Sequence, residues 1–225
     1  MGLIYRGRGA GVVRCEQCQL PLDACICRYR PTLVSACSFW ILTHRKEFFK
    51  PTNSARLIGA CLPDVRFFRW ERTQPDADLL ALLADPGFRP ALVFPREMAV
   101  LNPAEQQAGA ARPGKCAFLL LDGTWQQALK MYRKSPYLHG LPVVSLDPDA
   151  PSRYGLRRSR SDSQLCTAEV AVELLRSEGE TRQARQLNNY FRVFCYSYIE
   201  GRNHRTPETL PEMEELLRFR AEVPD

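Results

Sequence analysis

One carboxylate in this 225-residue chain stands where a catalytic group is expected. Asp122 follows the apolar run 117–121, which predicts a strand buried on both faces of a parallel sheet. From Thr124 the apolar residues recur at helical spacing, so the pattern predicts a strand, a tight turn and a helix. Ligands bind at such turns, at the carboxyl end of parallel strands. Asp122 is therefore a candidate functional carboxylate. For this turn alone the ordinary interpretation is a helix N-cap, a role that Thr124 could also take.

Four cysteines near the N-terminus form a second group of residues that could bind a ligand: Cys15, Cys18, Cys25 and Cys27. Two close pairs on either side of a short Pro-containing loop can place four thiolates around one zinc ion. The nine cysteines of the chain are an odd number without an export signal, which argues against a disulfide framework. Four protein ligands leave no open position, so a zinc here is structural and pins an N-terminal arm over residues 1–30. An unmetallated or redox-active cluster is the alternative.

Strands and helices alternate along the rest of the chain. Strands are predicted at 33–42, 65–70, 91–94, 117–121 and 143–146, and helices from about 53, at 77–84, from 124, at 167–175 and at 184–199. The alternation predicts an α/β fold with a mostly parallel sheet flanked by helices, as one catalytic domain over 31–200. Residues 201–225 are expected to form a C-terminal tail with a surface helix.

The charge balance permits a polyanionic partner without requiring one. Lysine and arginine total 31 against 25 acidic residues, which gives a net charge of +6. One basic stretch follows the first predicted strand, at 44–50, and a denser one at 152–160 combines four arginines with an aromatic residue. For the first stretch a solvated loop is the ordinary interpretation, and contact with phosphates is the alternative. For the second stretch contact with a nucleic-acid backbone is favoured over a solvated loop, because arginine offers both bidentate phosphate contact and stacking.

Several protein classes are excluded or disfavoured by what the sequence lacks. No run of eighteen apolar residues occurs, so we expect a cytoplasmic protein without a membrane partner. No GxGxxG motif follows a strand, no P-loop lysine is present, and no Ser-His-Asp set can be nominated. Pattern alone therefore leads only to an α/β sheet with one cleft.

A set of motifs, taken in their order along the chain, indicates a more specific function. It resembles the DTW-domain family, whose members are tRNA-uridine aminocarboxypropyltransferases, and here it resembles the bacterial type. The motifs are Asp122-Gly123-Thr124-Trp125, the cysteine cluster, Ile41-Leu42-Thr43-His44 with Glu47, Asn53-Ser54-Ala55-Arg56-Leu57, Tyr154-Gly155-Leu156-Arg157, and Leu165-Cys166-Thr167-Ala168-Glu169. The resemblance runs from about Cys15 to about Tyr198. It departs conservatively at Ser54, where many members have Thr, and at Cys166, where many have Ser.

The resemblance implies a fold related to the SPOUT methyltransferases, with a knotted C-terminal half that binds S-adenosylmethionine. The implied reaction moves the 3-amino-3-carboxypropyl group to the N3 nitrogen of a tRNA uridine and leaves methylthioadenosine, with Asp122 as the base. The expected cofactor-binding residues are Phe94, Pro95, Gly123, Thr124, Trp125, Leu146, Leu156, Leu165, Cys166 and Thr167. The expected tRNA-binding residues are His44, Lys46, Arg56, Lys130, Arg133, Arg153, Arg157 and Arg158. We expect a monomer.

Two other functions compete with this interpretation. An RNA methyltransferase uses the same cofactor, and the sequence does not show which carbon on the sulfonium faces the acceptor. A non-enzymatic, zinc-containing RNA-binding protein is the alternative of a different class, with Asp122 as a mere cap. The position of the modified uridine, in the D-loop or the variable loop, stays open.

Overall fold

The computed structural model describes residues 11–94, 113–146 and 165–222. The five strands are β1 (Ser38–His44), β2 (Val65–Trp70), β3 (Phe88–Val93), β4 (Lys115–Asp122) and β5 (Val143–Val144). The α-helices within these ranges are α1 (Ala55–Cys61), α2 (Ala77–Ala84), α3 (Trp125–Arg133), α4 (Thr167–Ser177), α5 (Thr181–Arg202) and α6 (Pro211–Glu222). Short 3-10 turns occur at Leu22–Ala24, Cys27–Tyr29 and Pro136–Leu138.

The strands form one sheet in the order β2-β1-β4-β3-β5, and every neighbouring pair is parallel. The α/β prediction with a parallel sheet is thus confirmed. The chain leaves β1 through α1 toward β2 on one side, and leaves β4 through α3 toward β5 on the other side. Connections that diverge from two neighbouring strands open a crevice at their carboxyl ends. In this sheet the crevice lies between β1 and β4, where Thr43 is paired with Asp122.

The two faces of the sheet pack against different helices, because side chains alternate along each strand. The first face, with Phe39, Ile41, Phe118 and Leu120, joins one apolar cluster with α1, α4, α5 and α6. The second face, with Trp40, Leu42 and Leu119, joins a separate cluster with α2 and α3. All seven residues of β1 are buried, as a central strand covered on both faces requires.

The N-terminal arm and the last helix both pack on the first face. Cys18, Leu20, Ile26 and Tyr29 belong to the same apolar cluster as the central strands. In α6, Met213, Leu216 and Phe219 are buried in that cluster too. No helix in the described part of the chain combines the length and the apolar character that crossing a membrane requires.

Element boundaries show where an apolar pattern misleads. The strand and the helix predicted at 65–70 and 77–84 are confirmed to the residue. The strand predicted at 33–42 begins only at Ser38, because the backbone N–H of Leu33 is bonded to the carbonyl of Cys61 at the end of α1 (2.8 Å) and not to a neighbouring strand. β3 begins three residues before the predicted strand, at Phe88, and the predicted 143–146 strand is only Val143–Val144.

Candidate active site and cationic cleft

Asp122 is the last residue of β4, and its side chain joins three segments of the chain. The residue is only 4% exposed. Its Oδ2 accepts a hydrogen bond from Asn53 Nδ2 (2.7 Å), and its Oδ1 accepts one from Thr167 Oγ1 (2.9 Å). The carboxylate therefore links the end of the central strand to the loop before α1 and to the first residue of α4.

The partners of Asp122 are themselves held in place. The Asn53 side chain donates to the carbonyl of Glu47 (3.2 Å) and accepts from the backbone N–H of Ala55 (2.8 Å), which fixes its amide plane at the start of α1. The backbone N–H of Ala168, in the first turn of α4, donates to Ser54 Oγ (3.3 Å). These bonds hold the starts of α1 and α4 against each other around the carboxylate.

The helix that follows Asp122 does not use that residue as its cap. Thr124 is the N-cap of α3: Gln127 N donates to Thr124 Oγ1 (3.4 Å), and Thr124 N donates to Gln127 Oε1 (2.6 Å). This reciprocal pair is a capping box. The interpretation of Asp122 as a mere N-cap is therefore wrong.

The carboxylate lies on the first face of the sheet, in line with Phe118 and Leu120. Thr43 is its neighbour on β1 and is 2% exposed. Thr43 Oγ1 has no hydrogen-bond partner within the described part of the chain. The crevice between β1 and β4 thus contains a buried carboxylate beside a buried hydroxyl.

An open cleft of about 550 Å³ lies at the same edge of the sheet. It is lined by His44, Arg45, Lys46, Trp70, Glu71, Arg72, Thr124, Gln126, Gln127 and Lys130. Four of these residues are cationic and one is acidic. The acidic residue, Glu71, pairs with Arg69 (2.9 Å), so positive charge dominates the cleft.

His44 and Trp70, at the ends of β1 and β2, form an aromatic part of the cleft. Their rings stack with centroids 5.6 Å apart and planes inclined by 20°. The backbone N–H of Lys46 donates to His44 Nδ1 (3.3 Å), so Nε2 carries the proton of the neutral ring. Burial lowers the pKa of His44 from its ordinary value, which makes the imidazole neutral at pH 7. His44 therefore offers a hydrogen-bond donor to a ligand and not a positive charge.

The residues expected to bind tRNA fall into three groups. His44, Lys46 and Lys130 line the cleft, and Arg133 is exposed at the end of α3. Arg56 instead donates to the backbone carbonyls of Asn53 (3.2 Å) and Lys50 (2.9 Å), which braces the loop before α1. The others, Arg153, Arg157 and Arg158, lie outside the described residues.

The cleft also contains residues that the expected tRNA set omits: Arg45, Trp70, Arg72, Gln126 and Gln127. Arg45 belongs to the basic stretch after the first strand, so its sequence signal was present. Arg72 follows the strand predicted at 65–70. Only the pairing of β1 with β2 shows that the loop of Arg72 borders the loop that contains Arg45 and Lys46.

The turns expected to bind the cofactor also lie at the carboxyl edge of the sheet. The backbone N–H of Phe94 donates to the carbonyl of Val144 (3.0 Å), and the Phe94 ring contacts the rings of Trp125 (5.5 Å) and Tyr132 (5.3 Å between centroids). Gly123 follows β4 directly, Leu146 packs against the first-face cluster, and residues 165–167 lead into α4. Pro95 and Leu156 lie outside the described residues.

The four N-terminal cysteines converge. Cys15 Sγ lies 3.6 Å from Cys27 Sγ, and Cys18 Sγ lies 3.8 Å from Cys25 Sγ. All four sulfurs are within 4.8 Å of one another. Four sulfurs at about 2.3 Å from a tetrahedral zinc ion lie about 3.8 Å apart, so the cluster fits that ion. The backbone N–H of Cys18 is the main cause that lowers the pKa of Cys15 to about 7, whereas burial raises the pKa of Cys18 to about 11.

Comparison with known proteins finds one family across most of the chain: the DTW domain matches residues 12–199. A protein of Drosophila melanogaster named tRNA-uridine aminocarboxypropyltransferase 2 is 31% identical over 181 residues, which are 76% of this chain and 69% of that protein. Proteins of the same name from Mus musculus and Macaca fascicularis are 26% and 25% identical over 167 residues, 72% of this chain and 55% of each relative. These relatives are animal proteins, not of the bacterial type that the resemblance suggests. No solved structure matches the chain.

Proposed function

The chain belongs to the DTW-domain family, and we propose that it transfers the 3-amino-3-carboxypropyl group of S-adenosylmethionine to N3 of a tRNA uridine. The observation that carries this proposal is the likeness to transferases named for that reaction. The family match over residues 12–199 includes Asp122 and its hydrogen-bond partners Asn53 and Thr167. The matched region spans about half to two thirds of the length of those relatives.

The chemistry requires a base and accurate orientation. S-adenosylmethionine supplies a carbon that its positively charged sulfur already activates. As the bond from N3 to that carbon forms, the carbon–sulfur bond breaks and its electrons stay on the sulfur of methylthioadenosine. The N3 proton of the uridine must leave, and we assign Asp122 as its acceptor. Asn53 and Thr167 hold the carboxylate in one orientation, which favours proton transfer along a fixed path.

We place the cofactor at the turns after β3, β4 and β5 and at the start of α4. What supports this placement is that these turns lie at one edge of a parallel sheet, beside the crevice between β1 and β4. The relation to SPOUT proteins and the C-terminal knot belong to the same proposal. In its support, the chain leaves the sheet at β5 and returns to the end of β4, where Thr167 contacts Asp122.

We place the tRNA backbone across the cationic cleft, with Arg45, Lys46, Arg72 and Lys130 near phosphates. The stacked rings of His44 and Trp70 offer an apolar surface there, and the neutral His44 can donate to a base or sugar oxygen. The proposal also includes a structural zinc ion on Cys15, Cys18, Cys25 and Cys27, which would hold the N-terminal arm on the first face.

The test is a product analysis with purified protein, S-adenosylmethionine and unmodified tRNA. Nucleoside mass spectrometry should find aminocarboxypropyluridine, together with an equal amount of methylthioadenosine. Methyluridine with S-adenosylhomocysteine would instead identify a methyltransferase. Unchanged tRNA, combined with no S-adenosylmethionine binding by calorimetry, would leave a non-enzymatic RNA-binding protein.

A further inference from the structure

A second cysteine cluster lies at the amino edge of the sheet, opposite the proposed active site. Cys37 immediately precedes β1, and Cys116 is the second residue of β4. Because Ser38 is paired with Ala117, Cys37 and Cys116 are lateral neighbours on adjacent parallel strands. Cys37 is buried and Cys116 is partly buried.

A carboxylate from the turn between α4 and α5 approaches these thiols. The Sγ atoms of Cys37 and Cys116 and one carboxylate oxygen of Glu178 all lie within 4.8 Å of one another. Glu180, two residues further along, lies outside this group, and its Oε1 accepts from the backbone N–H of Ala36 (2.7 Å). The other oxygen, Glu180 Oε2, is buried and has no hydrogen-bond partner among the described residues.

The arrangement favours an ion between the thiols over a bond between them. Laterally paired residues of parallel strands project their side chains in the same direction, so both sulfurs face the turn that contains Glu178. A disulfide requires Cβ atoms about 3.8 Å apart, closer than the roughly 4.8 Å spacing of neighbouring strands. Two sulfur donors and one carboxylate oxygen that converge in this way are ligands that zinc accepts.

We propose that Cys37, Cys116 and Glu178 bind a second divalent metal ion of the zinc type. The ion would connect the starts of β1 and β4 to the turn between α4 and α5. Its role would be structural, because it would join three segments of the chain at the edge of the sheet opposite Asp122. The proposal is independent of aminocarboxypropyl transfer, since the cluster lies at the opposite end of the strands from Asp122.

Metal analysis of the full chain, dialysed in a zinc buffer under reducing conditions, tests this directly. We expect two zinc ions per parent chain and one in Cys116→Ala. Cys61→Ala is the matched control, because Cys61 is a buried thiol outside both clusters, and it should retain two. The surface variant Glu178→Gln should lose one ion at a lower chelator concentration than the parent. Two ions in Cys116→Ala, or only one in the parent, would overturn the proposal.

Cadmium NMR provides a second measurement without any substitution. The parent chain loaded with ¹¹³Cd should give two resonances, one typical of four thiolates and one shifted toward the range of mixed sulfur and oxygen ligands. A single four-thiolate resonance would refute the second site. A Cys37–Cys116 disulfide in the protein isolated without reductant, with one zinc ion per chain, would show that the pair is a redox site instead.

Discussion

The two faces of the sheet differ most at its carboxyl edge. On the first face, Asp122 is 4% exposed, and its oxygens accept hydrogen bonds from Thr167 and from Asn53, whose side chain is fixed by two further bonds. On the second face, Lys46, Arg72 and Lys130 are exposed around an open cleft. One strand end thus supplies both a rigid, buried carboxylate and the border of a wide cationic surface.

This difference matches the roles that we propose for the two faces. A proton acceptor gains from a fixed orientation, because misplacement of reacting groups is costly in rate. A polyanion as large as tRNA needs an accessible surface with distributed charge. We therefore expect substitutions on the first face to change the rate of transfer and substitutions in the cleft to change tRNA affinity.

Asp122→Asn should give the largest effect. The amide can keep both contacts, because its oxygen can accept from Asn53 while its NH₂ group donates to Thr167 Oγ1. The charge is lost, so we expect the turnover rate to fall by about 10²–10⁴-fold. Affinity for S-adenosylmethionine, measured by calorimetry, should stay close to that of the parent.

Thr167→Val is the matched control for the Asp122 contact. It removes one hydrogen bond to the carboxylate but keeps the charge, at a cost of about 1–3 kcal/mol in the free energy of unfolding. Its turnover should fall much less than that of Asp122→Asn. Equal losses of turnover in the two variants would show that the network has only a structural role.

Loss of the four-thiolate metal site should disturb the first face more than the second, because the N-terminal arm packs against the first-face cluster. In Cys18→Ser we expect loss of one zinc ion and a decrease of about 4 kcal/mol in the free energy of unfolding, measured in denaturant. Cys195→Ser alters a cysteine outside both clusters and should keep its zinc. An unchanged unfolding curve in zinc-free Cys18→Ser would exclude the structural role.

In the cleft, the double variant Arg72→Ala/Lys130→Ala removes two exposed charges. We expect the slope of log affinity against log salt to decrease by about 2, with a roughly tenfold weaker affinity for tRNA at moderate salt. Fluorescence anisotropy with labelled tRNA measures both quantities. Arg182→Ala/Arg185→Ala, on α5 far along the chain from the cleft, is the charge-matched control and should leave the slope unchanged.

His44→Gln should give the smallest effect. Burial lowers the folded-state pKa of His44, so the unfolded chain binds the proton more readily. The stabilisation from the neutral ring is complete above the unfolded pKa of about 6.5 and is lost as the pH falls below it. From pH 7 to pH 5.5 the free energy of unfolding should therefore fall further in the parent than in His44→Gln. We expect the difference between the two falls to be at most about 1 kcal/mol. An equal fall in both proteins would show that the imidazole is not held neutral.

Much of this arrangement is visible in the sequence, and the remainder depends on which strands are neighbours. The run before Asp122 predicted β4, the turn and α3, because both periodicities are local. The contacts of Asp122 with Asn53 and Thr167 join residues 69 and 45 positions away, which no local pattern can reveal. Arg56 shows that a charge in the sequence can also mislead. Its charge suggested a contact with a phosphate, whereas its guanidinium donates to backbone carbonyls nearby.

Single-turnover transfer, measured as a function of tRNA concentration at saturating S-adenosylmethionine, tests the division of labour most directly. For Asp122→Asn we expect a plateau rate lower by about 10²–10⁴-fold at an unchanged half-saturating concentration. For Arg72→Ala/Lys130→Ala we expect an unchanged plateau and a half-saturating concentration about tenfold higher. A parental plateau in Asp122→Asn, or a lowered plateau at unchanged half-saturation in the cleft variant, would contradict the assignment of chemistry to the first face and of tRNA binding to the second.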